Sequence, residues 1–280
     1  MTDRSVNEGE IGMPYVETRA GRIHYVQRGA GPAVVLLHAT LHDHRDFDRV
    51  ADPLAAHYRT IALDWPGHGR SDPVDTASPT LFAGVLADVA DRLGLDRAVL
   101  VGNSVGGFAA ARFALDRPDL VAGLVLVNSG GFTSRSPLTL LACRVLGTPW
   151  LTRRLLPPLV PGYMKAHDDF DRDIGVRARA RAGTVDGAHV AAGLWRGFAS
   201  RDYDLRADGP RLRPPVLLVW GARDTILPLR AARRTRRAIP GATLHTLDTG
   251  HVVFASDPGG FLDVVEPFVA EAVARERSTP

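Results

Sequence analysis

Short apolar runs and amphipathic stretches alternate along most of this chain. Tyr15 to Glu17 and Arg22 to Gln27 alternate apolar and polar residues about an Ala20-Gly21 turn, which predicts two paired strands. Ala33 to Leu37, Thr60 to Leu63, Ala98 to Val101 and Val121 to Val127 are nearly continuous apolar runs. Runs of that length suit strands covered on both faces, as in a parallel sheet. Between them, Asp48 to Tyr58, Leu81 to Leu93 and Val105 to Asp116 carry apolar residues at helical spacing, with Pro79 just ahead of the second. Strand and helix at short spacing predict βαβ units. The alternation stops over 133–205, where Pro, Arg and amphipathic runs show no clear strand. It resumes with a strand at Val216 to Trp220, a helix at Leu229 to Ala238, a strand at Thr243 to Leu247 and a helix at Gly260 to Ala274. We therefore expect a core over 15–132 and 206–280, a helical cap over 133–205, and a flexible tail over 1–14.

Composition narrows the class. A chain of 280 residues that is 45% hydrophobic and 23% charged can bury one large core and a small lid. Its net charge of +3 is small, and Lys165 is the sole lysine. The arginines are scattered; the clusters Arg177-Arg179-Arg181 and Arg230 to Arg237 read as solvated helix faces, so no nucleic-acid partner is expected. Cys143 is the single cysteine, which excludes an internal disulfide and a cysteine metal cluster. His42-Asp43-His44 resembles a metal cluster, but side chains so close in sequence rarely converge on one ion, so no metal site is expected. The first dozen residues lack the pattern of a signal peptide, and no apolar run could span a bilayer. A soluble cytoplasmic protein without stable membrane insertion is expected. Its oligomeric state is not legible.

The chemistry centres on Gly102-Asn103-Ser104-Val105-Gly106, which follows a predicted strand and opens a predicted helix. Such a turn pushes the serine out of the backbone, and the helix behind it points N–H groups at any oxyanion formed there. A serine hydroxyl is a poor nucleophile until a base sits beside it and an acid fixes that base's tautomer. His251, in the loop after the last strand, is the candidate base. Asp224, in the loop after Val216 to Trp220, is the candidate acid, with Asp248 as its rival. In a parallel sheet, loops after strand C-termini gather on one edge, so all three can meet. The N–H of Val105 and the N–H of Thr40, in the loop after Ala33 to Leu37, are the candidate oxyanion donors. Ala39, Phe132, Tyr163, Met164, Trp195, Phe198 and Val252 are candidate pocket residues, being large or apolar in the right segments. His38 reads as a backbone brace, and Asp64 and Asp72 as stabilisers of their loop. Leu138, Leu140, Leu141, Val145, Leu146, Trp150, Leu151, Leu155 and Leu156 form an apolar face expected to pack on the body, with part of it lining the pocket.

From Tyr15 to Ala274 the chain resembles the α/β-hydrolase superfamily, in its capped serine hydrolases. Four motifs carry the resemblance: the elbow Gly-Asn-Ser-Val-Gly-Gly, the loop Asp64-x-Pro-Gly-His-Gly-Arg-Ser-Asp72, the acid loop Gly-Ala-Arg-Asp224, and Gly-His251. The resemblance implies an α/β fold with a mostly parallel eight-stranded sheet, helices on both faces and an inserted helical cap. It also implies Ser104 as nucleophile, His251 as base and Asp224 as acid. The family usually has His-Gly where this chain has His38-Ala39, which predicts a shifted or narrowed oxyanion hole wherever a positive φ is required.

The expected activity is hydrolysis of a small to medium, fairly apolar ester or lactone through an acyl-enzyme, with no metal or organic cofactor. The elbow also resembles that of meta-cleavage-product hydrolases, which cut C–C bonds of ring-fission dienones. Those enzymes usually carry Trp after the catalytic His and a Gly-rich loop after the first His; here Val252 and Ala39-Thr40-Leu41 stand. Relatives with an Asp nucleophile are disfavoured by Ser104. A haloperoxidase-like side activity and a non-catalytic ligand-binding protein on the same fold remain as alternatives.

Overall fold

The computed structural model describes residues 14–133 and 135–277; residues 1–13 of the expected tail lie outside the described residues. Eight strands form one sheet: β1 (Tyr15–Thr18), β2 (Gly21–Arg28), β3 (Ala33–Leu37), β4 (Arg59–Leu63), β5 (Ala98–Asn103), β6 (Val121–Val127), β7 (Val216–Gly221) and β8 (Thr243–Leu247). Their spatial order is β1-β2-β4-β3-β5-β6-β7-β8. The β1–β2 and β2–β4 pairings are antiparallel, and every pairing from β4 onward is parallel.

The continuous apolar runs are explained by two separate cores, one on each face. Val35, Leu37, Leu100, Leu124 and Leu126 point into one, where α2 (Pro79–Arg92) and α3 (Val105–Asp116) pack. Their neighbours Val34, Leu36, Val99, Val101, Val125 and Val127 point into the other, against α1 (Asp48–Ala55) and the C-terminal helix at Pro258–Arg277. Both sides of each central strand are covered, so no polar residue is called for on either side.

Some helix boundaries differ from the periodicity. α1 stops at Ala55 instead of Tyr58, because the chain must already turn into β4 at Arg59. α2 starts at Pro79, with the Ser78 hydroxyl accepting the Leu81 N–H at 3.0 Å. Proline at the first helical position lacks only a hydrogen that would have been idle there.

Between β6 and β7 lie α4 (Pro137–Leu146), α5 (Pro149–Leu155), α6 (Val160–Met164), α7 (Asp169–Gly183) and α8 (Val185–Phe198), with no strand among the described residues. α8 packs on α4, α5 and α7 and also touches α2. The expected apolar face is split. Leu146 and Leu156 are buried, but Leu138 at 76%, Leu141 at 57% and Trp150 at 67% exposure face outward. A two-sided helix shows the same spacing as a helix with one buried face, so the pattern alone overstated the packing. After β7 come α9 (Leu229–Ala238), the short α10 (Val253–Ser256) and the long C-terminal helix, α11. Among the described residues no helix is long and apolar enough to cross a membrane.

Candidate active site

Ser104 occupies the single-residue turn between β5 and α3, with φ 56° and ψ −113°. This backbone geometry is strained for a residue with a Cβ, at a cost of about 1–3 kcal/mol. It is held by the backbone: Ser104 N–H donates to Val127 O at 3.0 Å, and Ser104 O accepts from Phe108 and Gly130 N–H, each at 3.1 Å. The flanking glycines are required by close approach. A Cβ on Gly106 would lie 2.3 Å from Leu37 O, and one on Gly102 would lie 2.5 Å from Gly106 O.

The loops after β7 and β8 bring Asp224 and His251 together. His251 Nδ1 stands 2.6 Å from Asp224 Oδ2. Asp224 is 3% and His251 4% exposed, so this pair is shielded from water. The other carboxylate oxygen accepts the N–H groups of Ile226 and Leu227, at 2.7 and 3.1 Å. Burial by itself would raise the Asp224 carboxyl, but the neighbouring His251 and these hydrogen bonds outweigh it and hold it below the usual carboxylate range. Asp248 lies elsewhere: it is exposed and forms an ion pair with Arg223, whose Nε donates to it at 2.6 Å.

Two asparagines escaped the sequence reading. Asn128 Nδ2 donates to Asp224 Oδ2 at 2.5 Å, and its Oδ1 accepts Gly221 N–H at 2.8 Å. Asn103 Nδ2 donates to Val127 O and to His251 O, both at 3.1 Å, so it ties the elbow to the histidine loop. Asn128 takes φ 40°, a left-handed conformation that asparagine tolerates.

Ser104 and His251 line one largely apolar cavity, together with Ala39, Thr40, Leu41 and His42 of the loop after β3. Tyr163, Trp195 and Phe198 of the helical insert line it too. Three other pocket candidates do not. Phe132 is fully buried in the core against α3, while Met164 and Val252 are buried in the opposite core. Met164 follows Tyr163 on a helix, so it points about 100° away from it. Val105 is fully buried, but its N–H heads α3, where the first amides have no partner within the helix.

Ala39 has no positive φ; the left-handed residue of that loop is Leu41, at φ 73°. The turn therefore tolerates alanine at the family's glycine position, and the strain moves two residues on. Leu41 is held there by its N–H, which donates to His68 Nε2 at 3.0 Å. His38 braces the neighbouring loop: its Nε2 accepts Trp65 N–H at 3.0 Å, and its Nδ1 lies 2.7 Å from Ala39 O. Burial lowers the pKa of both His38 and His68, which keeps these rings neutral and able to accept.

His42, Asp43 and His44 diverge. His42 turns to Asp46, Asp43 to Arg45, and His44 to Asp64. His24 Nδ1 also reaches Asp64, at 2.8 Å, and Asp64 further accepts the N–H groups of His44 and Arg70 at 2.9 and 3.0 Å. Asp72 pairs with Arg22 of β2. Burial would raise Asp43, but the hydrogen bonds and charge of Arg45 hold it at about 2, and Asp64 likewise lies well below the usual range. With Asp224, these carboxylates have a lower pKa folded than unfolded. Their stabilisation is complete above the unfolded value near 4 and vanishes as pH falls through the folded values. The thermal midpoint is therefore expected to start falling below about pH 6.5, where His38 and His68 gain protons in the unfolded chain but stay neutral in the folded one, and to fall steeply between about 4 and 2. Asp43→Asn should flatten part of that fall, by about 2 kcal/mol. A midpoint still level at about pH 2.5 would contradict this account.

A sequence model of the alpha/beta hydrolase family matches residues 34–264. The chain belongs to that family. This α/β-hydrolase is 32% identical, over 297 aligned residues, to a 2-hydroxy-6-oxononadienedioate/2-hydroxy-6-oxononatrienedioate hydrolase of Klebsiella pneumoniae, covering 97% of this chain and 96% of that one. Among solved structures, a thermophilic esterase from Thermogutta terrifontis matches with TM-score 0.78 and 25% identity, over 92% of this chain and 98% of its own. An N-acyl homoserine lactone degrading enzyme matches with TM-score 0.79 and 26% identity, over 91% of this α/β-hydrolase and 100% of its own chain.

Proposed function

We propose that this hydrolase cleaves a small to medium, fairly apolar ester or lactone through an acyl-enzyme on Ser104. The observation that carries the reading is the buried 2.6 Å contact between His251 Nδ1 and Asp224, on a ring that shares its cavity with Ser104. Asp224 accepts the Nδ1 proton, so the lone pair of the neutral ring lies on Nε2. That atom takes the Ser104 proton as Oγ attacks the carbonyl, then returns it to the leaving oxygen. A water deprotonated by His251 releases the acyl group. The N–H groups of Val105 and Thr40 hold the oxyanion. Thr40 Oγ1, buried and without a hydrogen-bond partner, supports a polar ligand atom beside that loop. The insert over 133–205 acts as the cap, and Tyr163, Trp195 and Phe198 make its apolar contribution to the pocket.

The test is a fluorophosphonate probe followed by peptide mass analysis. Wild type should take one phosphonyl group on the peptide containing Ser104. A folded protein that resists the probe would instead favour a non-catalytic ligand-binding role.

A second reading is C–C bond hydrolysis of a ring-fission dienone. The Klebsiella relative's named activity supports it, and so does Arg135. That arginine lines the cavity, and its Nε is buried without a partner, which suits a carboxylate on the substrate. Assaying one ring-fission dienone beside a series of p-nitrophenyl esters separates the two readings.

A further inference from the structure

A second imidazole–carboxylate pair opens onto the cavity that holds Ser104. His42 lies in the loop after β3, Asp46 follows it within a short 3-10 turn, and Tyr163 stands near the end of α6. His42 Nδ1 is 2.5 Å from Asp46 Oδ2, and His42 Nε2 is 3.2 Å from the Tyr163 hydroxyl. Arg177 of α7 donates to the other carboxylate oxygen of Asp46 at 3.3 Å. All three members are buried, at 3, 2 and 5% exposure for His42, Asp46 and Tyr163. Acyl transfer as described above uses none of them. Two of its members, His42 and Tyr163, line the cavity wall, where a ligand can reach them.

The directions of its hydrogen bonds define that ligand. The Asp46 carboxylate accepts from Arg177 on one oxygen and faces His42 Nδ1 with the other, so Nδ1 is the donor of that pair. In the tautomer with its one ring hydrogen on Nδ1 the lone pair lies on Nε2, and the Tyr163 hydroxyl donates to it. That uses the single phenolic hydrogen. What Tyr163 offers the cavity is an oxygen with free lone pairs, which suits a ligand O–H. A carboxylate or a bare carbonyl there would set acceptor against acceptor. Tyr163 is also anchored to the reacting side: its carbonyl accepts His251 N–H at 2.9 Å, and the two rings meet edge to face at 5.7 Å.

We propose that Tyr163, oriented by the His42–Asp46 pair, is a specificity site for a hydroxyl group on the substrate. The substrate class is a hydroxy-substituted ester or lactone. This rests on the hydrolase reading above and narrows it. Tyr163 contacts the substrate; His42 and Asp46 are positioning residues.

The test compares kcat/KM for p-nitrophenyl butyrate, its 2-hydroxy and 3-hydroxy derivatives, and the matching methoxy derivatives, which have similar bulk but no hydrogen to donate. For wild type, at least one hydroxy ester should exceed both its methoxy and its unsubstituted counterpart by about tenfold. This ratio needs no variant to fold. In Tyr163→Phe the ratio should fall to within about twofold of unity. His42→Leu should lower it similarly. His42→Gln, whose amide oxygen can still accept from Tyr163, should keep more of it, a difference that a purely structural role would not produce. Turnover with ratios near one in wild type, or proportional losses on all esters in Tyr163→Phe, would overturn the proposal alone. No turnover of any ester together with no fluorophosphonate labelling would overturn the hydrolase reading, and this proposal with it.

Discussion

Ser104→Ala is expected to leave a folded protein whose kcat for ester hydrolysis has dropped by about 10⁶, with fluorophosphonate labelling abolished. The size of the loss follows from the proposed triad of Ser104, His251 and Asp224 acting as a unit. Without the hydroxyl, His251 has no proton to take and Asp224 no charge to stabilise, so three residues fall silent at once. The residual rate would come from binding and the proposed oxyanion donors alone. The fold should survive because the elbow is held by main-chain bonds that alanine keeps: Ser104 N–H to Val127 O, and Ser104 O from Phe108 and Gly130. The backbone strain at φ 56° also stays, so the thermal midpoint should move by no more than a few degrees. Measured with purified protein, a variant that keeps more than about a hundredth of wild-type kcat would exclude Ser104 as the nucleophile.

The sheet was legible because its central strands are covered on both faces. A strand such as β3, buried at all five positions, can only be written in apolar residues. The elbow was legible because its demands are local: Gly102 and Gly106 are set by backbone passing within a bond length or two of a missing Cβ. The choice between Asp224 and Asp248 was not local. Both precede His251 on neighbouring loops, and only the folded backbone aims Asp224 at the ring while Arg223 holds Asp248 in solvent. Asn103 and Asn128 act across 148 and 96 residues of sequence, a distance over which a single sequence carries no signal. Pocket walls were the least legible. Phe132, Met164 and Val252 have the composition of a wall and the position of a core, and apolar spacing is the same for both. Ala39 shows the reverse case. A family glycine predicted a positive φ, yet the chain placed that conformation at Leu41, where the hydrogen bond its N–H donates to His68 supports it.

Asp224→Asn is expected to lower kcat by about 10⁴, whereas Asp248→Asn should leave it within about twofold. The carboxylate now satisfies donors on both oxygens: His251 Nδ1–H and Asn128 Nδ2 on Oδ2, and the N–H groups of Ile226 and Leu227 on Oδ1. An amide has one oxygen and one NH₂, so either orientation sets donor against donor. With its oxygen toward Ile226 and Leu227, its NH₂ faces His251 Nδ1, the ring takes the opposite tautomer, and Nε2 bears a hydrogen where Ser104 needs a lone pair. With its oxygen toward His251, two buried main-chain donors lose their acceptor and the loop after β7 must shift. Both outcomes disable the base while most of the fold persists. Asp248 offers no such leverage, since its side chain is 73% exposed and its partner is Arg223. The measurement is kcat for both variants on one ester, with circular dichroism to confirm folding. Equal losses at the two positions would mean that either carboxylate can reach His251, and the loop after β7 would then not be what selects the acid.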